Sequence, residues 1–122
     1  MLLGRLPESC EQRGICGIQN VVEADGGVYP CDFYVLDGLC LGNINEVSPA
    51  AIAARRKEIG FVERSRNHSR ECLECPWHFV CRGGCYRNRE GAPDNFFCQA
   101  YKMFFEKNYD CLKEIAETIA HR

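Results

Sequence analysis

The sequence predicts a small, irregular α+β domain: a β-hairpin, a short helix, loops held by cysteines and a long C-terminal helix. Three observations carry this. Ile18, Val21 and Val22 precede an Asp-Gly-Gly turn at 25–27, and Val28 and Tyr29 follow it, which is a hairpin pattern with Cys31 on or just after its second strand. "SPAAIAARRKEIG" offers Ser48 as N-cap, Pro49 at the first helical position and Gly60 past the end. From about Asn95 to Ala120, Phe97, Tyr101, Phe104, Phe105, Leu112, Ile115 and Ile119 recur at helical spacing and read as the core-facing stripe of one helix.

The remaining segments follow from local chemistry. "LDGLCLGNI" is a turn followed by a short extended piece. The stretch from Glu63 to Glu71 is charged and polar, hence exposed. Between Cys72 and Cys85, Pro76 and the Gly83–Gly84 pair argue against regular structure. The whole chain, 1–122, is expected to form one domain.

Composition narrows the function. A net charge of −2 supplies no basic field for nucleic acid. No apolar run approaches the roughly 20 residues of a membrane span, and the opening "MLLGRLPESC" is too short in apolar residues for a signal peptide, so a cytoplasmic location is expected. The 10 cysteines, about 8% of the chain, stand at the edge of the range typical of cysteine-built scaffolds. Without an export signal they favour metal or redox use over structural disulfides.

The cysteines fall into two patterns, C-x5-C-x14-C at Cys10, Cys16 and Cys31, and C-x2-C-x5-C-x3-C at Cys72, Cys75, Cys81 and Cys85, with Cys98 following. The central run could close on itself as a zinc ribbon, leaving the first trio to recruit Cys40 or Cys98. Paired iron–sulfur clusters offer another arrangement, because there the last cysteine of a dense run ligates the other cluster. Cys85 would then join Cys10, Cys16 and Cys31, and Cys98 would complete Cys72, Cys75 and Cys81. Cys40 and Cys111 remain as free thiols, Cys111 at an apolar, buried helix position. Of the histidines, His78 has ligand-compatible spacing but reads as a surface or packing residue, and neither His68 nor His121 suggests catalysis. Trp77 and Phe79 are expected to shield a metal group from water, and Gly83 and Gly84 to let backbone N–H groups reach the sulfurs.

On these residues the sequence resembles the SPASM domain, the auxiliary [4Fe–4S] extension of radical S-adenosylmethionine enzymes. That signature reads cysteine, nine to fifteen residues, glycine, four residues, cysteine, then C-x2-C-x5-C-x3-C and a final cysteine. Cys16, Gly26, Cys31, Cys72, Cys75, Cys81, Cys85 and Cys98 fall in register with it. "PESC…GICG" and "YPCDFYV…LGNI" further resemble the anaerobic sulfatase-maturating enzymes, which convert a sulfatase cysteine or serine to Cα-formylglycine.

The resemblance implies two [4Fe–4S] clusters in cluster-binding loops, one on Cys10, Cys16, Cys31 and Cys85 and one on Cys72, Cys75, Cys81 and Cys98. It also makes Asp32 the base that deprotonates the target side chain, although by itself Asp32 reads as a polar residue ending a strand. The implied partners are a radical-generating barrel that binds S-adenosylmethionine, a sulfatase polypeptide and an electron acceptor, with no nucleic acid and no membrane. No three cysteines here have the C-x3-C-x2-C spacing of the radical cluster, and the barrel is not encoded in these residues, so the chain alone is expected to be inactive. Two other readings stand beside this one: the SPASM domain of a ribosomal-peptide maturase, and a stand-alone iron–sulfur or zinc binding module.

Overall fold

The computed structural model describes residues 1–92 and 94–121. In chain order the elements are α1 (Cys10–Arg13), β1 (Val21–Val22), β2 (Gly27–Tyr29), β3 (Gly42–Asn43), α2 (Pro49–Ile59), α3 (Phe61–Arg64), α4 (Arg70–Leu73), α5 (His78–Cys81) and α6 (Cys98–Ala120). Single 3-10 turns lie at Asp32–Tyr34, Asp37–Leu39 and Tyr86–Asn88. The chain divides into two compact units, Gly17–Ser65 and Met1–Cys16 with Arg66–Arg122.

In the unit Gly17–Ser65 the expected hairpin is present. Val21 faces Tyr29 and Val22 faces Val28 across an antiparallel pair. Glu23 N–H donates to Gly27 O at 2.9 Å, so the loop is Ala24-Asp25-Gly26, with the positive φ (88°) that such three-residue loops place on glycine. A Cβ on Gly26 would also lie 2.6 Å from Asn43 Oδ1. This gives a physical reason for the glycine in the motif. The extended piece after the Asp37 turn pairs as a third strand, with Gly42 opposite Val28. Helix α2 runs between the caps read from its sequence: Ser48 Oγ accepts from Ala51 N–H at 3.2 Å, and Gly60 takes φ 61°. Val28, Leu41 and Ile52 form the buried core, with Val47 and Ile59 against it. Tyr34 and Phe61, both buried, meet edge to face at 5.0 Å.

In the other unit, cysteine-bearing loops pack on the first half of α6. Three expectations change here. The stretch 72–85 is not wholly irregular, because α4 and α5 each complete one turn around Pro76. Ser69 starts α4 by accepting from Cys72 N–H at 2.9 Å. The aromatic stripe of α6 is mostly not core: Phe105 is buried, whereas Phe97, Phe104, Ile115 and Ile119 are exposed. At 23 residues α6 is about 35 Å long. Its packing partners Trp77 and Phe79 reach only as far as Phe105 and Tyr109. Cys111, expected to be buried, is exposed for the same reason. No helix among the described residues is long and apolar enough to cross a membrane.

Candidate metal centre

Cysteines at helix ends and turns are aimed by short-range backbone chemistry. Cys72 lies on the single turn α4, whose Ser69 cap also donates from its hydroxyl to the Asp94 carboxylate. Cys81 ends α5, and Arg82 beyond it takes φ 50°, followed by Gly83 at 79° and Gly84 at 66°. Three left-handed residues in succession turn the chain sharply back. Only glycine fits the second, where a Cβ would stand 2.6 Å from His68 Nδ1 and 3.3 Å from Cys72 Sγ. Cys98 begins α6. It is placed by buried Asn95, whose Oδ1 accepts from Phe97 N–H at 2.7 Å and whose Nδ2 donates to Gly83 O at 2.9 Å.

These elements bring Cys72, Cys75, Cys81 and Cys98 to the walls of one cavity, with Trp77, His78, Asp94 and Lys102 also lining it. Cys85 is not among the residues lining that cavity. Burial pushes the Cys72 thiol up, and nearby Cys81, Asp94 and Cys98 push it further, against the pull of Arg89. Burial likewise raises Cys81, as do Cys98 and Cys75, while a backbone hydrogen bond from Gly83 and the charge of Lys102 act the other way. A set of sheltered thiols that oppose one another's ionisation fits a cationic group among the sulfurs, which would take up the negative charge of four thiolates. Among the described residues no three His, Cys, Asp or Glu side chains converge as the ligands of one ion.

Cys10, Cys16 and Cys85 lie in the unit Met1–Cys16 with Arg66–Arg122, and Cys31 in the unit Gly17–Ser65. Cys10 begins α1 and Cys16 follows its end, where Gly14 (φ 69°) closes the helix onto Cys10 O at 3.1 Å. A Cβ on Gly14 would lie 1.8 Å from Arg82 O, so α1 and the turn after α5 meet backbone to backbone. Cys16 and Cys85 both favour the charged form of the Arg89 guanidinium. Cys31 is buried in the unit Gly17–Ser65, and its Sγ donates to Asp32 Oδ1 at 3.2 Å. Asp32 is exposed at the start of a 3-10 turn, and the same carboxylate oxygen accepts from Phe33 N–H at 3.2 Å. Cys40 donates to Gly42 O at 3.7 Å.

Several residues have roles that the sequence did not signal. His78 is half-buried, with its Nδ1 3.7 Å from Cys72 Sγ, and His68 Nδ1 lies 3.9 Å from the same sulfur. Burial lowers the His68 pKa, helped by Arg89 and His78. Trp77 lines the cavity, whereas Phe79 is exposed, stacks on Trp77 at 6.4 Å and meets the Tyr109 ring edge to face at 5.5 Å. Arg89, 4% exposed, sits in a polar stretch that gave no sign of burial.

Comparison with known proteins joins this geometry to a family. The SPASM iron–sulfur cluster-binding domain matches residues 15–76. The cysteine-type anaerobic sulfatase-maturating enzyme of Clostridium novyi is 43% identical over 127 residues, covering 100% of this chain and 34% of that protein. The serine-type enzyme of Klebsiella pneumoniae is 33% identical over 97 residues, covering 80% and 24%. Among solved structures, native anSMEcpe with bound AdoMet and Kp18Cys peptide is similar at TM-score 0.85 and 42% identity, over 96% of this chain and 33% of that one. The chain thus spans about a third of the length of its clostridial relatives and about a quarter of that of the Klebsiella enzyme. A domain match across half the sequence and a cavity walled by four thiols lead to one conclusion: this chain belongs to the SPASM family of iron–sulfur cluster-binding domains.

Proposed function

We propose that this chain is the auxiliary-cluster part of an anaerobic sulfatase-maturating radical S-adenosylmethionine enzyme. It would hold one [4Fe–4S] cluster on Cys72, Cys75, Cys81 and Cys98 and a second on Cys10, Cys16, Cys31 and Cys85. The observation that carries the reading is the cavity that collects Cys72, Cys75, Cys81 and Cys98 while Cys85 lies outside its walls. Sulfurs spread around a cavity suit a cluster with four metal corners better than one zinc ion, whose ligand sulfurs stand within about 4 Å of each other. The identity to both cysteine-type and serine-type maturases, 43% and 33%, supports the reaction class.

In the reaction, a radical-generating barrel takes a hydrogen atom from Cβ of the target cysteine or serine of a sulfatase polypeptide. Asp32 accepts the side-chain proton, and one electron remains to be removed. The cysteines of the two sites would hold clusters that, when bound, would supply an acceptor for that electron and a path toward an external acceptor. The cysteine route leaves a thioaldehyde that water converts to formylglycine with release of hydrogen sulfide, and the serine route leaves the aldehyde itself. The chain's own contribution is positional. Cys31 is buried and followed directly by Asp32, so a fixed sulfur would aim an exposed carboxylate, and a general base needs such placement before it needs a tuned pKa.

Anaerobic reconstitution of the chain with iron and sulfide tests this reading. Uptake of about eight irons is expected, because two four-thiolate sites each hold a four-iron cluster. Saturation at four irons, or tight binding of a single zinc instead, overturns the two-cluster reading.

A further inference from the structure

We propose that Arg89 is a shared positioning residue of the two cluster sites, a buried cation that joins their loops and raises the reduction potential of both. The proposal rests on the two-cluster reading above. Its geometry lies wholly within the unit that carries Cys16, Cys72 and Cys85. Arg89 Nη2 donates to Gly14 O at 2.8 Å, two residues before Cys16. Nη1 donates to Asn67 O at 2.7 Å, on the segment leading to α4 and Cys72. Arg89 itself follows Cys85 by four residues, across the 3-10 turn at Tyr86–Asn88, and its guanidinium lies 5.7 Å from the Tyr86 ring centroid. One planar fork therefore joins three cysteine-bearing segments that belong to two different thiol sets.

The electrostatics follow this placement. Burial disfavours the Arg89 charge, whereas Cys72, Cys16 and Cys85 each favour it. An arginine keeps its proton even so, because guanidinium is charged throughout the accessible pH range. A fixed positive charge away from water acts on its neighbours far more strongly than one in solvent. Adding an electron to a four-thiolate cluster adds negative charge, so a buried cation nearby favours the reduced form. Net charge around a cluster is among the main determinants of its potential. A hydrogen-bonded loop residue without charge would hold the same segments and leave the potentials where they were. The arginine does both.

The test is a redox titration followed by electron paramagnetic resonance on the iron-loaded chain and three variants. Arg89→Gln removes the charge, Arg89→Lys keeps it without the fork, and Arg70→Gln removes a cation whose side chain is 88% exposed. Expected are wild-type potentials for Arg70→Gln, near-wild-type potentials for Arg89→Lys and lower potentials for Arg89→Gln at equal iron content. An Arg89→Gln chain that loads no iron while Arg89→Lys loads normally also supports the role of the charge. Unchanged potentials in Arg89→Gln, equal drops in Gln and Lys variants, or failure of both to load would overturn the proposal, the last making Arg89 a structural fork only. A wild-type chain that takes up no iron overturns the cluster reading instead, and this inference with it.

Discussion

Asp32 illustrates how a single side chain can be tested apart from its surroundings. Its carboxylate is exposed, receives Cys31 Sγ–H and Phe33 N–H, and stands beside a thiol assigned to a cluster. In a protein that joins this chain to a radical-generating barrel of a clostridial relative, Asp32→Asn should keep the iron content, since an amide fills the same volume and ligates nothing. S-adenosylmethionine cleavage should continue, while formylglycine yield falls about 10²–10⁴-fold, the contribution typical of a placed acid–base group. Loss of iron would make Asp32 structural, and an unchanged yield would remove it from the mechanism. The crossing ligand is tested at the same scale. Cys98→Ala should disturb the same cluster as Cys72→Ala, and Cys85→Ala the other, as read by the spectra of the cluster that remains. At this scale the cysteines were legible because thiols are rare and their spacing is a motif. Arg89 and Asn95 were not, because one polar residue in a polar loop carries no sign that it will be buried.

Among the elements, those with complete local signals were readable in advance. Helix α2 carries its own caps, and Ser48→Ala should cost about 0.5–2 kcal/mol of stability without changing iron uptake. The hairpin was readable from Asp-Gly-Gly and the extended piece at "LGNI" from the turn before it, but not its pairing, since a two-residue strand gains its identity only beside β2. The turns α4 and α5 escaped notice for a different reason. Pro76 and the glycines were correctly read as breaks, yet one helical turn fits between breaks when a serine cap and a C-terminal reversal close it. The reversal at Arg82–Gly83–Gly84 is where this region is most vulnerable. Gly83→Ala should destabilise the loops by at least the roughly 1–2 kcal/mol of a left-handed alanine. It should also impair metal uptake, because the new methyl group would press on His68 and approach Cys72 Sγ. Thermal unfolding and iron content read the two effects separately, and a Gly83→Ala chain that loads and melts like wild type would exclude them.

Across the molecule, the apolar core is unevenly shared. Among the described residues, Val28, Cys31, Tyr34, Leu41, Ile52 and Phe61 are buried in the unit Gly17–Ser65, but only Val80 and Phe105 in the cysteine-bearing unit. A unit with so small a core depends on its metal for stability, and this makes its pH dependence diagnostic. In the metal-free chain the Cys72 and Cys81 thiols are raised above their unfolded values, mainly by burial. Below the unfolded thiol pKa of about 8.5 both states keep the proton, and this contribution is fully present. Above it the unfolded chain ionises first, so stability falls as pH rises and is lost through the folded pKa values. In the iron-loaded chain the same sulfurs are already thiolates, and metal binding releases the protons, so rising pH favours the loaded state. Urea unfolding between about pH 7 and pH 10 should therefore give slopes of opposite sign, falling for the metal-free chain and flat or rising for the loaded one. Hydrogen exchange locates the effect: amides of α4 and α5 should lose protection in the metal-free chain at high pH, while those of β1 and β2 keep theirs. Parallel slopes in the two forms would mean that these thiols do not hold the metal.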